Sequence, residues 1–246
     1  MKCVLIGSLL FVGTLTAACA QGPKQEKNRD RIDDWTYVGN YVSKDSVTKG
    51  PYTLLFYNRD KTFAQQGEQI KKRMVEAFFT VYPQEAARFN PNTTKKVTFI
   101  IDPAYKGVAA AYNGIIRYSP LWMLQNPDDI DVVTHEVFHL VQAYGNGAGP
   151  GWLTEGITDY VRYKYGIDNA RGGWSLTPFQ PQHHYTNSYR IAARFLVWVE
   201  KNKNPKVVDS LDAALRKNTY TPQLWVKLTG KTVDDLWQQY AANPAL

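Results

Sequence analysis

Hydrophobic positions change their period part-way along the chain. Residues 52–57 (Tyr-Thr-Leu-Leu-Phe-Tyr) and the run Val97-Thr98-Phe99-Ile100-Ile101 are short, apolar and rich in aromatic and β-branched side chains, which predicts two buried strands. Asp102-Pro103 stops the second. Between them Ile70, Met74, Phe78 and Val81 recur at three- and four-residue spacing and predict an amphipathic helix over 65–82. Residues 108–118 read as one more strand, or as a hairpin turning at Asn113-Gly114. Later the period is helical. Asn126-Pro127-Asp128-Asp129 combines a capping Asn, a proline at the first helical position and acids at the positive end of the dipole, so a helix is expected from there to Tyr144. The glycine-rich stretch 145–151 breaks it. Further helices are expected at 152–165, 187–202, 205–217 and 231–242, with Gly230 closing the segment before the last. The expected fold class is α+β. One domain at 34–246 combines an α/β lobe (34–145) with a helical lobe (146–246) and a site between them.

Composition narrows the class. The chain has 246 residues, 44% hydrophobic and 21% charged, which excludes a wholly disordered chain, a collagen-like fibre and a multi-span membrane protein. The formal charge of +7 describes a mildly basic surface. No arginine-rich helix or aromatic-basic motif accompanies it, so no nucleic-acid partner is expected. The expected form is a monomer.

Both cysteines, Cys3 and Cys19, fall in the first twenty residues. Lys2, the apolar run from Val4 to Thr16 and the small residues Ala17, Ala18, Cys19 and Ala20 have the three parts of an export signal at residues 1–20. The run is too short for a comfortable membrane span. Leu15-Thr16-Ala17-Ala18-Cys19 resembles a bacterial lipobox, with Leu15 one place early, and would make Cys19 a lipidated first residue and a membrane attachment. Alternatively, Ala18 and Ala20 satisfy the small-x-small rule for cleavage before Gln21. The expected location is outside the cytoplasm, as a cell-envelope lipoprotein or a secreted protein. With the signal removed, no cysteine pair remains, so stability must come from the core, with a metal as the other available source. Residues 21–33 form a tether, with no large apolar side chain from Gln21 to Arg31.

The chemistry concentrates in His135-Glu136-Val137-Phe138-His139. Residues four apart share a helix face, so both imidazoles can reach one ion. Zinc takes three protein ligands and leaves a fourth position for water, and a glutamate after the first histidine can take that water's proton. Glu155 lies sixteen residues after His139, past the glycine-rich reversal, and is the expected third ligand. Asp159, four residues on, would accept the remaining ring N–H of a ligating histidine. Two other arrangements stay open here: the two acids exchange roles, or Asp159 pairs with Arg162 or Lys164.

The run from His135 to Arg162 resembles the basic secretory protein family, secreted plant proteins and bacterial relatives classed as zinc peptidases. The telling parts are the His-Glu-x-x-His element and Gly151-Trp152-Leu153-Thr154-Glu155-Gly156-Ile157-Thr158-Asp159-Tyr160-Val161-Arg162. Ser188 to Leu196 and Leu228 to Trp237 are similar to it as well. The resemblance spans Trp35 to Tyr240. It implies a zincin-like fold, an α/β lobe beside a helical lobe, with His135, His139 and Glu155 as zinc ligands. It implies no particular substrate.

Amide hydrolysis also needs a donor for the developing oxyanion. Tyr189 is the first choice, followed by His184, Tyr185 and His183. Ala109-Ala110-Ala111-Tyr112 has small side chains that would let an extended peptide pair along an edge strand. Trp152, Trp198, Trp225 and Trp237 sit at positions that look like helix core, whereas Trp174, after Gly172-Gly173, could form an aromatic platform. The glycines and prolines of 166–186 suggest a mobile loop over the site. The leading reading is an exported zinc metallopeptidase acting on peptide or protein, with Glu136 as base. The alternative is a non-catalytic binding protein of the envelope or extracellular space on the same scaffold.

Overall fold

The computed structural model describes residues 35–246. The expected export signal, the lipobox at Cys19 and the tether lie outside the described residues. Five strands, β1 (Ser43–Lys49), β2 (Tyr52–Asn58), β3 (Lys96–Ile101), β4 (Ala109–Tyr112) and β5 (Ile115–Tyr118), form one sheet in the order β1-β2-β3-β5-β4. The centre is parallel, β2 to β3 and β3 to β5, and β1 and β4 are added antiparallel at the two edges. Alternation in β2 buries Tyr52, Leu54 and Phe56 on one side of the pleat. Residues 108–118 resolve as the hairpin: Asn113 and Gly114 hold φ of +48° and +78°, the left-handed pair that a two-residue turn requires.

The helix expected at 65–82 is two helices, α1 (Lys61–Gln66) and the 22-residue α2 (Glu68–Phe89). Asp60 starts α1 early because its carboxylate accepts the Phe63 N–H at 2.7 Å. The buried stripe of α2 runs past Pro83 through Glu85, Ala86 and Phe89, so packing overrides the proline. Phe78 meets Phe99 of β3 edge-on at 5.6 Å.

The helix that carries the histidines starts later than the sequence predicts. Ser119-Pro120 opens a short helix, α3 (Pro120–Gln125), and Asn126 closes it by donating its backbone N–H to Trp122 at 2.8 Å. The helix with the histidines, α4, then runs Val132–Gln142. Asp128 and Asp129 serve in ion pairs with Arg73 and Arg162 rather than at its dipole. Almost every residue of α4 is buried. Its C-terminal carbonyls, which a helix leaves unpaired, are satisfied from outside: Thr93 Oγ1 donates to Leu140 at 3.0 Å and Asn90 Nδ2 to Val141 at 2.9 Å.

The remainder is helical: α5 (Gly151–Tyr165), a short turn at Tyr185–Asn187, α6 (Tyr189–Asn202), α7 (Val207–Arg216), α8 (Gln223–Thr229) and α9 (Val233–Ala242). An aromatic cluster of Trp152, Tyr185, Phe195, Trp225, Trp237 and Tyr240 fills the space between them. α5 and α6 pack closely, since a side chain at Gly156 would meet the Ala192 Cβ at 2.8 Å. Among the described residues no helix is long and apolar enough to cross a membrane.

Candidate metal centre

Helix α4 contributes His135 and His139 one turn apart, and α5 faces them with Glu155 and Asp159, also one turn apart. His135 meets Asp159 and His139 meets Glu155, so the two helices run antiparallel at this point. The Nε2 atoms of His135 and His139 lie 3.4 and 3.6 Å from one Glu155 oxygen. These three side chains form a group that could hold a metal ion.

The opposite ring nitrogens decide the character of this group. His135 Nδ1 lies 2.8 Å from Asp159 Oδ1, and His139 Nδ1 lies 2.8 Å from Gln142 Oε1. The Gln142 amide is oriented by donating its Nε2 to the Thr154 carbonyl at 3.0 Å. Both partners of the Nδ1 atoms are acceptors, so both Nδ1 atoms carry the proton. Both Nε2 atoms are then turned toward one carboxylate oxygen: a charged ring donates to it, and a neutral ring can share a cation with it. Burial pulls the His135 pKa down, but the bonds to Asp159 and Glu155 outweigh it and raise it to about 10. Burial raises the Glu155 carboxyl, yet the two histidines hold it well below the usual carboxylate range. The donor set of two imidazoles and a carboxylate suits zinc.

Glu136 points away from this group's hydrogen bonds. It is 6% exposed, and its Oε2 has no protein partner. Burial raises its pKa, against the lowering effect of His135 and His139. A buried carboxyl with an unbonded oxygen in a cleft is a candidate for proton transfer.

The site opens into a cleft of about 1570 Å³. The edge strand β4 lines one wall. Asn92, Thr93 and Thr94 lie at one part of the lining. Elsewhere Trp122 and Trp174 line it, held by Asp129 and Arg162: Trp122 Nε1 donates to Asp129 at 3.1 Å, and the Arg162 guanidinium sits 4.6 Å over the Trp174 ring. Tyr189 is half-exposed in the cleft and stacks beside His135 at 6.3 Å. The Glu155 charge, then burial, raises its pKa, so its hydroxyl keeps its proton. It and Ser188 hold left-handed φ of +47° and +68°, a non-glycine strain concentrated where the ring enters the cleft.

The other oxyanion candidates are elsewhere. Tyr185 is buried and donates to Asp234 at 2.6 Å. His184 packs on Tyr185 and Trp237, and His183 lies beside Phe179; neither lines the cleft. Asp159 does not pair with Arg162 or Lys164, which are taken by Asp129 and Glu200. The start of the loop after α5 is pinned: Asp131 accepts the backbone N–H groups of Ile167 and Asp168 at 2.8 and 2.6 Å.

A family model described as a peptidase of plants and bacteria matches residues 52–240. The chain belongs to that family. A comparison with the curated proteins finds no match. Among solved structures, the chain is similar to an M1 zinc metallopeptidase from Deinococcus radiodurans at 12% identity and a TM-score of 0.48, covering 82% of this chain and 51% of that one. It is also similar to a mutant of that enzyme bound to a Tyr-Ser-Ala substrate, at 14% identity and a TM-score of 0.47, covering 83% and 52%. The chain thus spans about half the length of these structures.

In this member of the peptidases of plants and bacteria, two features escape sequence reading. Gln142 is three residues after His139, the spacing of one helix face, and that offset alone could have marked it. The Trp122, Asp129, Arg162 and Trp174 group joins three separate segments and carries no local signature.

Proposed function

We propose that this chain is an exported zinc-dependent peptidase that hydrolyses peptide bonds in the cleft beside α4. The observation that carries the reading is the meeting of both Nε2 atoms on one Glu155 oxygen while acceptors hold both Nδ1 atoms. His135, His139 and Glu155 hold the ion, and Asp159 and Gln142 fix the ring tautomers and orientations. Bound there, zinc supplies a Lewis acid that brings the pKa of a coordinated water to about 7. Glu136 takes a proton from the attacking water and delivers it to the leaving amine, a role that its buried, unpartnered oxygen suits. Tyr189 donates its hydroxyl to the oxygen that gains charge. The β4 edge offers unpaired backbone groups to an extended peptide. Residues 1–20 direct export, with Cys19 lipidated or the chain cut before Gln21.

The test uses zinc-loaded protein and a peptide library. Wild type cleaves, and Glu136→Gln retains the metal but loses turnover, because only the proton acceptor is removed. Full activity in Glu136→Gln would contradict the mechanism.

A further inference from the structure

The charges that line the cleft are unevenly committed. Four carboxylates face it: Asp129, Glu136, Glu155 and Asp159. Asp129 is held by Arg162 and Trp122, Asp159 by His135, and Glu155 by both histidines. Glu136 is buried beside them. Glu136 has one unbonded oxygen and is committed to the cut bond on the proposed mechanism, so no further carboxylate of the described lining is left to hold the ammonium of a peptide N-terminus.

The cations are divided differently. The lining has two, Arg162 and Arg190. Arg162 is consumed by Asp129, Asn169 and the face of Trp174. Arg190 is exposed and has no ion pair or hydrogen-bond partner among the described residues. It directly follows Tyr189, whose ring stacks beside His135, and it lines the same cleft as the metal group.

We propose that Arg190 binds a carboxylate of the substrate, and that the cleft therefore selects peptides that carry an anionic group. The proposal rests on the peptide-binding reading of the cleft and deepens it. A guanidinium matches a carboxylate with two parallel hydrogen bonds, and a cleft wall screens the pair less than open solvent does. The carboxylate can come from an Asp or Glu side chain or from a peptide C-terminus, since both present the same two oxygens. The same inventory argues against recognition of a free N-terminus.

The test separates binding from cutting. Labelled alanine-based peptides with blocked ends and one Glu, Gln or Lys are titrated into zinc-loaded Glu136→Gln protein, beside a fourth peptide that has a free C-terminal carboxylate and no Glu. The Glu peptide is expected to bind about tenfold more tightly than the Gln peptide. Adding Arg190→Gln should bring that ratio near unity, and Arg190→Glu should turn the preference toward Lys. Lys227→Gln, an exposed cation outside the cleft lining, is the control and should leave the ratio in place. Tight binding of the fourth peptide would identify the C-terminus as a source of the carboxylate, and of the blocked Glu peptide alone, the side chain. A ratio unchanged by Arg190→Gln, or no peptide binding at all, overturns the proposal. Turnover by wild type is measured on the same peptides. Charge-selective binding without any cleavage would sink the peptidase reading and leave Arg190's role standing; cleavage without charge selection would do the reverse.

Discussion

Gly156→Ala probes how packing holds the site together. Gly156 sits in the middle of α5, directly after Glu155, and alanine there favours the helix by about 1 kcal/mol. The added methyl, however, would lie 2.8 Å from the Ala192 Cβ of α6. Two methyl carbons pack at about 3.5–4.0 Å, and neither can rotate away because each Cβ is fixed by its helix. The helices must therefore separate by about 1 Å. Such overpacking costs about 1–3 kcal/mol, so the net loss of stability is only about 0–2 kcal/mol. The consequence for chemistry is larger. α5 carries Glu155 and is tied to α4 through Asp159 and His135, whereas α6 carries Tyr189 three residues before Ala192. Separation moves Tyr189 away from the metal group, and a misplacement of about 1 Å can cost about a hundredfold in rate. The assay is kcat on a fixed peptide, beside zinc content and a urea melt. kcat should fall at least tenfold at full zinc occupancy with only mild destabilisation. Gly156→Ala combined with Ala192→Gly should restore most of it, because the clashing methyl is gone. A single variant with kcat within twofold of wild type would refute the argument.

Three other outcomes follow from the same geometry. Tyr189→Phe should lower kcat by about a hundred- to a thousandfold with little change in KM, measured by steady-state kinetics, if its hydroxyl serves the oxyanion. Asp159→Asn should weaken zinc binding about 10–100-fold in a chelator competition, since the amide can present its donor group to the ring and upset the tautomer. Glu85 is fully buried with neither oxygen bonded, and burial raises its pKa well above the carboxylate range. The unfolded chain ionises this carboxyl above its ordinary pKa while the folded protein stays protonated, so its contribution is complete at low pH and is lost as pH rises. Glu85→Gln should therefore gain stability over wild type as pH rises from about 5 to about 6 in urea melts, by at most about 1.4 kcal/mol, and parallel curves would contradict this.

Much of this architecture could be read in the chain because the signals are local. The stripe through Ile70, Met74 and Phe78, the turn at Asn113-Gly114 and the helices after residue 150 rest on periodicity and turn chemistry. β1 escaped, since Ser43–Lys49 is a sheet edge whose side chains are polar and partly exposed, with no buried face to leave a pattern. Asn126-Pro127 misled because two start signals, Ser119-Pro120 and Asn126-Pro127, lie seven residues apart, and the first uses the second's asparagine as its end. At the site, His135, His139, Glu155 and Asp159 are readable from helical spacing on two facing helices. The Gln142 amide on the Nδ1 side of His139 has a helical offset that the sequence shows, whereas the α5 carbonyl that orients it is set by the packing of the two helices. Arg190 is similar: its significance comes from what its neighbours in the cleft have already bound.

On the proposed function, His135, His139 and Glu155 hold one zinc ion that makes the cleft hydrolytic. Elemental analysis of the purified domain, beside His139→Ala, decides this. Wild type should carry about one zinc per chain, and the variant should lose it. Wild-type protein that takes up no zinc after gentle purification and zinc addition would contradict it.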